Sequence, residues 1–99
     1  MANGYKLFWS EKALSDVQEI LDFLSLHYTT REVRAFVRKL DKRINLISQS
    51  PKVFPVSTKK TIRKSVLTRH TVIYYKVDRD SIYIITLFAT RKNPHKLKL

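Results

Sequence analysis

The chain has 99 residues, 43% of them hydrophobic, with one glycine, no cysteine, and 20 Lys+Arg against 8 Asp+Glu for a net charge of +12. That length suits a single domain over residues 1–99, and that apolar content excludes a disordered basic tail. Lack of cysteine excludes a disulfide framework, a thiolate nucleophile and a Cys-based zinc site, while Gly4 alone cannot write a P-loop, a dinucleotide fingerprint or a nucleophile elbow.

At the N-terminus, Met1 to Lys6 contains no apolar signal core, and no apolar run approaches the roughly 20 residues of a membrane-spanning helix. The expectation is a soluble cytoplasmic protein without a membrane partner. Tyr5 to Trp9 is aromatic-rich and predicts a first strand, with Ser10 as the N-cap of the helix that follows. From Glu11 onward, Ala13, Leu14, Val17, Ile20, Leu21, Leu24 and Tyr28 recur at steps of three and four, which predicts an amphipathic helix. Glu11, Lys12, Asp16, Gln18, Glu19 and Asp22 are expected mostly on its outer face.

Thr29-x-x-Glu32 has the spacing of a capping box and opens a second helix, whose stripe runs through Val33, Phe36, Val37, Leu40, Ile44 and Ile47 until Pro51 ends it. So short a connection predicts an antiparallel helical hairpin. Arg31, Arg34, Arg38, Lys39, Lys42 and Arg43 fall on its exposed face, where a solvated surface and a partner-binding surface explain them equally well.

Pro51 to Lys60 carries two prolines and reads as an ordered loop. The period then changes to that of strands: Thr61–Leu67 sets apolar Ile62 and Val66 against polar Arg63 and Ser65. Thr71–Val77 and Ser81–Phe88 follow, joined by Asp78-Arg79-Asp80 with the composition of a hairpin turn. The order is β-α-α-β-β-β, an α+β fold with a helical hairpin packed on a small antiparallel sheet.

Charge is distributed unevenly along this order. Glu11, Asp16, Glu19, Asp22, Glu32 and Asp41 precede the loop, and Asp78 and Asp80 are the acids beyond it. The second half therefore concentrates Lys59, Lys60, Arg63, Lys64, Arg69, Lys76, Arg91, Lys92, Lys96 and Lys98 among Tyr74, Tyr75, Tyr83 and Phe88. A field this lopsided describes partners and suits phosphate. His27, His70 and His95 are scattered without metal-ligand spacing, so no metal and no cofactor is expected. An arginine clamp with one acid and one base suffices to cleave RNA, since RNA brings its own 2′-hydroxyl nucleophile. Against this, tyrosines and phenylalanines on strands more often pack a sheet than serve a ligand.

Trp9-Ser10-x-x-Ala13, the helical hairpin, Pro51-x-x-Phe54-Pro55, Ile62-Arg63-Lys64, Val72 to Val77 and Phe88-x-x-Arg91-x-Asn93-Pro94 occur in an order that resembles the RelE/ParE superfamily of bacterial toxins from type II toxin–antitoxin modules. The resemblance covers nearly the whole chain. It implies a cognate antitoxin, acidic and partly disordered, that wraps the basic surface. It also implies one of two targets: RelE-like members cut mRNA on the ribosome, and ParE-like members poison DNA gyrase without catalysis.

Arg63 falls where RelE-like toxins keep a basic residue on the second strand, and Arg91 matches their arginine after the last strand. On that side the resemblance implies a metal-independent, ribosome-dependent endoribonuclease with Arg63, Arg91 and His95 as catalytic residues. Lys60, Lys64, Arg69, Tyr75 and Lys92 would then hold the substrate. Two departures favour the ParE-like side: Val72 stands in place of an arginine, and no tyrosine follows Arg91. The charge tips the expectation slightly toward mRNA cleavage, with gyrase inhibition as the alternative and a basic RNA-binding module third.

Overall fold

The computed structural model describes residues 5–57 and 61–89. Strand β1 (Lys6–Trp9) leads into helices α1 (Glu11–His27) and α2 (Thr30–Gln49), and then into strands β2 (Ile62–Thr68), β3 (Thr71–Asp78) and β4 (Ser81–Ala89). The elements follow the expected β-α-α-β-β-β order of an α+β fold.

The strands form one sheet in the order β1-β4-β3-β2. The β2–β3 and β3–β4 pairs are antiparallel hairpins, as expected, but β1 lies parallel to β4, so the sheet is mixed. Parallel neighbours need a long crossover, and here both helices and a whole hairpin intervene between the paired strands.

Both helices start at the signals read from sequence. The Ser10 hydroxyl accepts from the Ala13 amide at 2.9 Å. In α2 the capping box closes both ways: the Glu32 amide donates to Thr29 Oγ1 at 3.2 Å, and the Thr29 amide donates to Glu32 Oε1 at 3.0 Å. Ser10 does more than cap. Its hydroxyl also donates to the Ile85 carbonyl at 2.7 Å, and its amide donates to the Ile84 carbonyl at 3.0 Å, so the start of α1 is fastened to β4.

That contact falls on an irregularity. Tyr75 pairs with Ile84 while Tyr74 pairs with Thr86, which leaves Ile85 as an extra residue in β4. The bulge switches the buried parity of β4 from Ile82 and Ile84 to Leu87. The core lies between the helices and one face of the sheet, with Ile20, Ile44 and Ile47 against Ile73, Tyr75 and Ile84. None of the helices among the described residues is long and apolar enough to cross a membrane.

Three expectations on facing are reversed. Asp16 is buried, 8% exposed, instead of lying on the outer face of α1, because its carboxylate finds hydrogen-bond donors in β4. On β2, Ser65 faces inward and Val66 is 55% exposed, since Arg43 Nη1 satisfies the Ser65 hydroxyl at 2.7 Å. For that reason Arg43 leaves the exposed face of α2: it also donates to the Val66 carbonyl at 2.7 Å, with its guanidinium 5.4 Å from the centre of the Phe54 ring.

Candidate functional site

The β2 edge would be open were it not for the segment after α2. Pairing between Val56 and Arg63, the Lys64 amide donating to the Pro55 carbonyl at 3.0 Å, and the Ser57 amide donating to the Ile62 carbonyl at 2.7 Å lay this loop along β2. Over Ile62 to Lys64 the β2 edge is thereby paired and closed to a further strand.

Arg63 and Tyr75 stand opposite each other in the β2–β3 ladder, and both serve that loop. Arg63 Nη1 donates to the Phe54 carbonyl at 2.6 Å and more weakly to the Lys52 carbonyl at 3.5 Å. The Tyr75 hydroxyl, fully buried, donates to the Pro51 carbonyl at 2.6 Å. Burial pushes the Tyr75 phenol up to about 12, and the positive charge of Arg63 opposes that rise without cancelling it.

The other residues singled out from sequence are not gathered around this pair. Lys64 is exposed, and the alternation of β2 turns it to the opposite face of the sheet from Arg63, beside Tyr74 in register. Arg69 sits at the far end, in the β2–β3 turn. With His70 it borders a cavity of about 320 Å³ walled by Ile20, Phe23, Phe36 and Ala89. The His70 amide is bonded to Thr68 Oγ1 at 3.1 Å. Lys60, Arg91, Lys92 and His95 lie outside the described residues. Among the described residues, Arg63, Lys64, Arg69 and Tyr75 therefore occupy three separate places and do not form one pocket.

Sequence reasoning names Lys76 and Tyr83 among the cations and aromatics of the second half, but not Phe8, which joins them on the helix-free face of the sheet. Here Phe8 and Tyr83, paired across β1 and β4, stack with ring centres 5.3 Å apart and planes 18° from parallel. Lys76 Nζ lies 5.9 Å over the Tyr83 ring. The signal was available in part: Phe8 and Tyr83 alternate with the buried residues of their strands. Their meeting, however, depends on the parallel register of strands distant in sequence.

A helical hairpin laid on one face of a small sheet, in a strongly basic chain, is the arrangement that the resemblance to RelE/ParE-superfamily toxins implies. The family model of the ParE toxin of the type II toxin–antitoxin system parDE matches residues 7–94, and the chain belongs to that family. Solved structures share the fold at low identity. A chain of the chromosomal ParDE system from P. aeruginosa is 18% identical with a TM-score of 0.74, the match covering 87% of this chain and 96% of that one. For the E. coli DinJ–YafQ toxin–antitoxin complex the figures are 12%, 0.64, 91% and 97%. For the YoeB dimer from Staphylococcus aureus they are 13%, 0.60, 86% and 95%. No curated protein matches the chain in sequence.

Proposed function

We propose that this chain is the toxin half of a type II toxin–antitoxin pair and that it stops growth by binding DNA gyrase. The choice against mRNA cleavage rests on the engagement of Arg63 and Tyr75. A residue that clamps phosphate or moves a proton must present its polar atoms to the substrate, and one that moves a proton also needs a pKa near the working pH. The Tyr75 hydroxyl and Arg63 Nη1 instead hold the Pro51 and Phe54 carbonyls, and burial pushes the Tyr75 phenol up to about 12. They staple a loop. The match to the ParE family model supports the same side of the superfamily.

Cleavage of mRNA on the ribosome is the second reading, favoured by the exposed cations Lys64 and Arg69. It would leave Arg91 and His95 to perform the chemistry, with Lys92 beside them in sequence and Lys60 before β2. In either case the partner that silences the toxin is an antitoxin. The +12 charge favours an acidic one that orders on binding, and the DinJ–YafQ structure of the same fold is a toxin–antitoxin complex. A gyrase target sets the site of action in the cytoplasm.

Pulse labelling after tight induction tests the choice. New DNA and new protein are followed separately in the first minutes, and DNA synthesis is expected to fall first. An earlier fall in protein synthesis, with fragmented mRNA, would reverse the assignment to the second reading.

A further inference from the structure

The helix-free face of the sheet carries an arrangement that packing alone does not require. Ladder register lines up one row across all four strands: Ile62 of β2, Lys76 of β3, Tyr83 of β4 and Phe8 of β1. Within the row the two rings stack, one ammonium lies over the Tyr83 ring, and Phe8 and Tyr83 remain 46% and 37% exposed. The next row along β2 and β3 pairs Lys64 with Tyr74, and Lys6 precedes Phe8 on β1, giving the face further exposed cations. Asp78 shares the face at its β3–β4 hairpin end, in one row with Ser81 and Lys6, and Asp80 lies in the turn between the strands.

A cross-strand aromatic pair contributes modestly to a sheet wherever it sits, but leaving large rings in water beside unpaired ammonium groups is the composition of a ligand platform. Two copies of this chain meeting through the face would bring lysines toward lysines. An unstacked nucleic-acid strand meets both features at once, because every base offers a π-face to a ring and every phosphate a charge to an ammonium.

We propose that this face, centred on Phe8, Tyr83 and Lys76, binds single-stranded DNA without sequence preference. The choice of DNA over RNA as the source of the strand rests on the gyrase reading above, under which the toxin's target is a DNA enzyme. Arg63 is turned to the opposite face of the sheet, so among the described residues the surface is separate from the arginine that the resemblance assigns to catalysis.

The test is fluorescence anisotropy of a labelled oligothymidylate of about twelve nucleotides against the purified full chain over a salt series. Binding is expected to fall steeply with salt. Tyr83→Leu, which keeps apolar bulk while removing the ring, and Lys76→Gln are each expected to weaken binding at least about fivefold, with unchanged circular dichroism. Absence of binding, or affinity unchanged in both variants, overturns the proposal. So does tighter binding of oligouridylate than oligothymidylate, which would assign the face to RNA, or variant-sensitive binding confined to polyglutamate, which would assign it to an acidic protein partner.

Supercoiling by purified gyrase with the same proteins separates this proposal from the one beneath it. Gyrase inhibition without oligothymidylate binding removes the DNA platform and keeps the gyrase reading. Variant-sensitive oligothymidylate binding without gyrase inhibition keeps the platform and removes gyrase.

Discussion

The Asp16 carboxylate accepts the Leu87 amide at 3.1 Å, joining the second turn of α1 to β4 immediately after the bulge at Ile85. The same carboxylate accepts from the Thr86 hydroxyl and from Lys12 Nζ at 2.9 Å. Pairing with β1 ends at Ile84, and beyond it a buried amide of β4 needs another acceptor; for Leu87 that acceptor is Asp16. Burial by itself would raise the Asp16 pKa, but hydrogen bonds from Thr86, Lys12 and Leu87 outweigh it and hold the carboxyl below the usual range.

Stability should therefore depend on acid through Asp16. Because the folded pKa lies below the unfolded one, the contribution is complete above the unfolded value of about 3.9 and is lost as pH falls below it toward the folded value. Asp16→Ala should lower stability by about 3 kcal/mol at neutral pH through lost charged hydrogen bonds at a buried site. The deficit relative to the parent should shrink below pH 4, which urea titrations across pH would detect.

Arg63 ties β2 to the covering loop, so its loss should be felt first as stability. Arg63→Ala removes a charged donor from the Phe54 and Lys52 carbonyls and should reduce stability by about 1.5 kcal/mol. Inhibition of DNA synthesis should persist at temperatures where the variant stays folded. Complete loss of toxicity with an unchanged melting curve would give Arg63 a direct role at the target instead.

Tyr75 predicts the alkaline limb. Its folded pKa, near 12, lies above the unfolded value of about 10, so the protein keeps the full contribution of the neutral phenol below pH 10 and loses it as pH rises toward 12. Tyr75→Phe leaves the Pro51 carbonyl without its donor and should reduce stability by about 1 kcal/mol at neutral pH. It should also flatten the fall above pH 10. Ultraviolet titration of tyrosinate should find one tyrosine fewer ionising late.

The parts of the fold that were readable in advance are those with local causes. The helices begin at Ser10 and Thr29 because each side chain meets an amide three residues on, and the β3–β4 hairpin turns at Arg79-Asp80 between two β-rich runs. The parts that were not readable depend on partners far away in sequence. Asp16 looks like a surface acid until Thr86 and Leu87 reach it across 70 and 71 positions. Ser65 reads as the outer residue of β2 until Arg43 satisfies it from α2. The direction of β1 is equally non-local, since nothing in Lys6–Trp9 names β4 as its neighbour. The candidate site suffered for the same reason: Arg63 and Lys64 are adjacent in sequence, yet the pleat sends one to the loop and the other to the open face.

Arg91 and His95 decide between the two targets most sharply. If the toxin cuts mRNA, they are the remaining members of the catalytic set, and removing an acid or base from such a set slows cleavage by about a hundredfold to ten-thousandfold. If it binds gyrase, neither residue moves a proton. The double variant Arg91→Ala, His95→Gln should then lose only whatever contact the two side chains make. Under the reading advanced here, the induced double variant still stops DNA synthesis, with an inhibitory dose within about tenfold of the parent, equivalent to about 1.4 kcal/mol of binding. Full recovery of growth from a variant that still folds and still binds the antitoxin would return the chain to the mRNA-cleaving side. The gyrase assignment would then have to be withdrawn, whatever the behaviour of the aromatic face.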